Sequence, residues 1–147
     1  MFFFRHFYYD IYKKIYEHRK VFPDEPVKAY IYVSKSIQAI CGVMYLSNKT
    51  SLLDWREMYK EDVATVKRID VYLPIHKFGM EINRFEYSNS IPIVELRQNL
   101  DKFIIPQMYY YIEDLDLLRY IEANIEFDGI VIIHEYDNTT SEMICRS

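Results

Sequence analysis

From residue 27 to residue 34 apolar and polar positions alternate. Val27, Ala29, Ile31 and Val33 fall on one side, and Lys28, Tyr30, Tyr32 and Ser34 on the other. Successive side chains of an extended chain point to opposite faces, so a period of two predicts a strand with an aliphatic core face and an aromatic-polar face. Residues 37–46 are nearly all apolar, as in a strand covered on both sides. Gly42 within that run predicts a bulge or the close approach of another backbone. These two segments, with strand boundaries at 27–34 and 39–46, are expected to be neighbours in one sheet. Upstream, Phe2, Phe3 and Phe4 predict a first strand. Tyr8, Ile11, Tyr12 and Ile15 recur at helical spacing and predict a short helix over 8–14. Lys14 then falls at the helix end, where a cation suits the dipole.

Downstream the period changes. Ser51 followed by Asp54 has the form of a capping box opening a helix over 52–60. Val63, Val66, Ile69 and Leu73 give an apolar stripe to a second helix that stops before Pro74. Residues 78–87 alternate again, with Met80 and Ile82 in phase and Phe85 after a slip. Pro92 is placed to start a helix through Leu100, with Ile93, Leu96 and Leu100 inward. Residues 104–111 read as a strand, 114–126 as a helix with Leu118, Ile121 and Ile125 inward, and 130–136 as a last strand. Strands separated by short helices without regular alternation indicate an α+β fold. We expect one domain over residues 1–136 and a polar tail over 137–147.

Composition narrows the function classes. Half of the residues are apolar, with 15 tyrosines and nine phenylalanines, which excludes a disordered chain. Three glycines leave no Gly-rich phosphate loop. Cys41 and Cys145 make neither a disulfide framework nor a zinc site, and the apolar surroundings of Cys41 predict a buried thiol. His6, His18, His76 and His134 are too dispersed to form a local metal pair, and Trp55 is assigned to the core. No cofactor is expected. No apolar stretch approaches a membrane span and no leader pattern is visible, so a cytoplasmic, reduced protein is expected, and the triplets at Asn48 and Asn138 are read as chance matches. The net charge of −4 argues against bulk attraction to nucleic acid. Charge is unevenly placed, however: residues 1–60 hold ten Lys/Arg against six Asp/Glu, and the remainder eight against sixteen.

The basic part contains the candidate chemistry. If residues 16–20 are extended, Glu17 and Arg19 share a face. A carboxylate and a guanidinium two residues apart can act together on one polar ligand, or simply pair with each other at the surface. Lys14-x-x-Glu17-x-Arg19 resembles the G-x-K-x-x-E-x-R signature of ASCH domains, a branch of the PUA-like superfamily. The glycine of that signature falls on Tyr12, which tolerates the positive φ of a tight helix-to-strand turn poorly. The strand over 27–34 and the segment from Ala39 to Met44 resemble the family's next two strands. Pro106-Gln107 and the tyrosines after it are similar to a closing strand in PUA-like proteins, some of which are described as transcriptional regulators.

The resemblance implies a small mixed β-barrel decorated by short helices, with Lys14, Glu17 and Arg19 lining a cleft. There Arg19 would pair bidentately with a phosphate or carboxylate. Glu17 would accept from a base amino group, and Lys14 would neutralise a phosphate or act as a base. Ser34 and Lys35, at the end of their strand, are candidate rim residues. Tyr30 and Tyr32 could stack unpaired bases or pack in the interior. The implied function is binding of RNA or a modified nucleotide. An amidohydrolase of the N4-acetylcytidine type is an alternative, with Lys14 and Glu17 catalytic. In that group a threonine stands where Glu17 stands here, and Glu81 is the candidate second carboxylate. A protein-interaction or regulatory module is the third reading. A binding module is preferred to an enzyme.

Overall fold

The computed structural model describes residues 2–6, 16–18, 27–107 and 109–133. Its strands are β1 (Phe2–His6), β2 (Tyr16–His18), β3 (Val27–Val33), β4 (Ala39–Ser51), β5 (Phe78–Pro92), β6 (Tyr109–Tyr111) and β7 (Phe127–Ile133). Its helices are α1 (Leu52–Met58), α2 (Val63–Tyr72), α3 (Ile93–Asn99) and α4 (Leu115–Asn124). The fold is α+β, as the sequence predicts. The strands follow the order β2-β5-β4-β3-β1-β6, and β7 also pairs with β5. β1 runs parallel to β3 and antiparallel to β6, so the sheet is mixed.

The sheet is not a closed barrel, which corrects the expectation drawn from the family resemblance. Closure needs hydrogen bonds between the two ends of the path. Here the ends are β2 and β6, three residues each, and no pairing joins them among the described residues. The helix expected over 8–14 and the tail over 137–147 lie outside the described residues.

The chain divides into two compact units. The first contains β1, β3 from Lys28 onward, β4 as far as Met44, and the chain from Phe85 to Ile132. Its core is built on β3, whose residues from Ala29 to Val33 are all buried. Tyr30 and Tyr32 are 3% and 1% exposed, so the alternation marks two buried faces and the stacking-platform reading is corrected. The reason is topological. β3 lies inside the sheet between β4 and β1, and an inner strand with both faces covered has no solvent side to give its tyrosines. Gly42 meets the expectation of close approach. A Cβ there would lie 2.6 Å from the Glu86 carbonyl oxygen and 2.8 Å from the Phe85 ring.

Pro92 caps α3 in an extended conformation, and the Ile93 N–H donates to the Gln38 carbonyl (2.9 Å). Ile93 and Leu96 point inward as expected, while Leu100 ends the helix half-buried. Asp114 caps α4 by accepting from the N–H groups of Asp116 (2.9 Å) and Leu117 (3.4 Å). That start turns Leu117 and Ile121 inward and leaves Leu118 and Ile125 half-buried. The Tyr120 hydroxyl donates to Glu95 Oε1 (2.7 Å) and ties α4 to α3. Loss of surrounding water and the Glu95 carboxylate push this phenol up to about 12. The strand expected over 104–111 is confined to β6. Residues 103–107 are irregular, and Pro106 has no N–H to offer a ladder.

The second unit contains β2, β4 from Tyr45, α1, α2 and β5 as far as Arg84. Leu52, Trp55, Ile69 and Tyr72 form its buried cluster, with Tyr59 and Leu73 partly buried against it. α1 begins at Ser51, but the serine side chain makes no capping hydrogen bond, so the capping box is not realised. Asp62 does cap α2. It accepts from the Ala64 and Thr65 N–H groups (3.1 and 3.2 Å) and from the Thr65 hydroxyl (2.8 Å), bonds that hold its carboxyl below the usual range. The cap fixes the helix phase. Thr65, Ile69 and Tyr72 are the buried stripe, and Val63, expected inward, is 64% exposed.

Candidate ligand-binding strand

β2 is extended over Tyr16–His18, as the motif requires. It pairs antiparallel with β5: Tyr16 stands opposite Glu81, Glu17 opposite Met80 and His18 opposite Gly79. The register therefore sets Glu81 opposite Tyr16, one position out of step with Glu17 and so on the other face of the sheet. Glu81 is half-buried. Lys14 and Arg19 lie outside the described residues, as does the segment that joins them to their neighbours.

The same unit contains a cavity of about 440 Å³ lined by Ser51, Leu53, Leu73, Lys77 and Phe78. Among the described residues its walls are mainly apolar, with one hydroxyl and one cation. Phe78 directly precedes the Gly79 rung, so one wall of the cavity belongs to the strand that receives β2. Sequence reasoning missed this cavity, because its lining comes from both ends of the α1–α2 hairpin and from the start of β5. At the far end of this stretch of β5, the Arg84 guanidinium sits 5.8 Å from the centre of the Tyr45 ring, a cation–π contact.

Ser34 and Lys35 occupy the turn between β3 and β4. Ser34 is half-buried and Lys35 exposed, and the Ile37 N–H donates to the Lys35 carbonyl (2.8 Å). Ser36 and Gln38 in this turn have φ of 66° and 49°. Neither residue is one that favours the left-handed region, so nothing in the sequence signals this geometry.

Other candidates resolve as structural. His76 is buried, with its ring 6.2 Å from that of Tyr72. Trp55 is fully buried. Among the described residues no group of three His, Cys, Asp or Glu side chains is placed to hold a metal ion. No described helix is long and apolar enough to cross a membrane. Cys41 is buried, its thiol 3.8 Å from the Ile31 carbonyl, and burial pushes it up to about 12. A thiol reagent at about pH 8 should therefore leave Cys41 unmodified in a folded Cys145→Ser variant and label it only on unfolding. Labelling of the native variant at the rate of the unfolded one would contradict the buried assignment.

No protein-family profile matches the chain, and no curated protein does. Solved structures do. The ASCH protein of Zymomonas mobilis superposes with a TM-score of 0.62 at 15% identity, over 82% of this chain and 93% of that one. A tyrosine-to-phenylalanine mutant of it gives 0.63 at 14% identity, over 85% and 98%. A serine-to-alanine mutant gives 0.58 at 16% identity, over 83% and 94%. The chain has an ASCH-like fold.

Proposed function

We propose that this ASCH-like domain binds RNA or a modified nucleotide through the motif on and around β2. Arg19 supplies a bidentate contact to phosphate, Glu17 accepts from a base amino group and Lys14 contributes charge. The observation that carries this reading is the extended β2 in fixed register with β5, within an ASCH-like fold. An antiparallel partner removes the freedom of a loop, so groups on such a strand hold a defined spacing, as a pocket that reads a ligand requires. Recognition by a few placed groups also suits a chain of net charge −4 better than broad electrostatic binding does.

Titration of the full chain with modified nucleosides and short single-stranded RNA tests the proposal. Arg19→Ala is expected to weaken binding by about 1–3 kcal/mol, the worth of a bidentate contact. Lys35→Ala tests whether the β3–β4 turn takes part. If it does, the loss shrinks as salt rises, because its contribution is attraction to phosphate. Binding unaffected by Arg19→Ala would place the ligand on another face.

A second reading is amide hydrolysis of an acylated cytidine, in which water is consumed and acetate and cytidine are released; the register sets Glu81 opposite Tyr16, out of step with Glu17, and so gives no support to Glu81 as the second carboxylate. Lys14→Ala would then abolish turnover while leaving nucleoside affinity measurable. Absence of both binding and turnover across the panel would favour the protein-interaction reading.

A further inference from the structure

We infer that the cavity at the start of β5 is a ligand site in its own right, for a small monocarboxylate with an apolar body. Its described lining residues, Ser51, Leu53, Leu73, Lys77 and Phe78, all belong to the second compact unit. The volume of about 440 Å³ lies within the range of about 300–1,000 Å³ that small-molecule sites occupy. The site goes beyond the reading of the motif around β2, because its ligand needs neither a base nor a phosphate.

The walls define the body of the ligand. Leu53 comes from α1, Leu73 from the C-cap of α2 and Phe78 from β5. Leu73 packs against the cluster around Trp55, so the wall it forms is anchored in the core. Leu53 is 63% exposed and Phe78 37%, and an apolar body seated between them removes that surface from water.

The two polar groups define the head. The Leu52 N–H donates to the Lys77 carbonyl (2.9 Å), which holds the chain at Ser51 beside the chain at Lys77. Ser51 stands at the N-cap position of α1, yet its hydroxyl makes no capping hydrogen bond. Neither that hydroxyl nor the Lys77 ammonium has a side-chain partner among the described residues, and no described carboxylate lines the cavity. A hydroxyl and an ammonium both donate, so together they suit an oxygen anion. One cation balances one negative charge, as a carboxylate carries. A phosphate dianion calls for a second cation, which no described lining residue supplies. A cationic ligand would meet Lys77 as a like charge, and a wholly polar one would lose its water against leucine and phenylalanine.

Titration of the full chain with sodium octanoate, followed by calorimetry and by amide NMR shifts, tests this. Octanoate is expected to bind once per chain with a Kd below about 1 mM, and the largest shifts should fall at residues 51–53, 73 and 77–78. Lys77→Gln should raise Kd at least about fivefold through loss of a charged hydrogen bond. Leu53→Asp, which puts a like charge into an exposed part of the wall, should raise it in the same direction with circular dichroism unchanged. Lys67→Gln, at an exposed lysine of α2 outside the lining, should leave Kd unchanged. Octylammonium, of equal chain length and opposite charge, should bind at least about tenfold more weakly than octanoate. Octanoate binding that does not saturate, or shifts scattered over the surface, overturns the proposal. So does octylammonium binding as tightly as octanoate, or an octanoate affinity that Lys77→Gln leaves unchanged.

Discussion

Gly42→Ala is expected to destabilise the protein by about 3 kcal/mol, a large loss for the addition of one methyl group. Gly42 lies where β5 presses against β4. The added carbon would sit 2.6 Å from the Glu86 carbonyl oxygen and 2.8 Å from the Phe85 ring, both closer than real Cβ contacts allow. Phe85 is fully buried and cannot swing away, and a backbone carbonyl moves only with its strand. Relief therefore requires the two strands to separate, at the expense of packing along both. Urea unfolding checks the prediction: the midpoint should fall with the slope unchanged. Gly129→Ala is the contrasting case. Nothing lies within 4 Å of the added carbon, but φ is 84°, so the cost is backbone strain of about 1 kcal/mol. A Gly42→Ala midpoint equal to that of the wild type would mean that β4 and β5 are not packed this closely.

What the sequence revealed depended on how many faces of an element are buried. The alternation over β3 located the strand, yet it suggested a solvent face that does not exist, because Tyr30 and Tyr32 are buried with their aliphatic neighbours. Periodicity reports polarity, and tyrosine is polar only at its tip. Proline and aspartate punctuation proved more reliable. Pro92 and Asp114 marked the starts of α3 and α4. In α2, counting back from Ile69 through the valines missed the phase that Asp62 imposes, and the buried residue of the first turn is Thr65. Strand ends were the least visible. β4 and β5 run to Ser51 and Pro92, through polar residues that a hydrophobic pattern does not count. Of the candidate site, the extended segment at Glu17 was legible from the motif. Its rungs opposite Glu81 and Met80 were not, since pairing between distant segments leaves no local trace. Lys14 and Arg19 lie outside the described residues, so the motif's resemblance remains their support.

Trp55→Ala is expected to cost about 3–5 kcal/mol, the range for emptying a large aromatic site in a core. Trp55 is fully buried in the cluster with Leu52, Ile69 and Tyr72, where α1 meets α2. α1 has only seven residues and no side-chain cap at Ser51, so it cannot persist on helix propensity and depends on this packing. Loss of the indole would leave a void between the helices, which collapse of the smaller neighbours fills only in part. The Arg56 to Asp70 ion pair (2.7 Å) also links the two helices, but it is exposed on both sides and does little to offset the void. Leu53→Ala is the internal control. Its side chain is on the same helix but 63% exposed, so its cost should stay within about 0.5 kcal/mol. Urea unfolding followed by circular dichroism compares the two without relying on tryptophan emission, since Trp55 is the chain's single tryptophan. Trp55→Phe should recover much of the loss by refilling most of the volume. Equal costs for Trp55→Ala and Leu53→Ala would show that α1 is not anchored through Trp55, and the cavity lined by Leu53, Leu73 and Phe78 would lose its fixed wall with it.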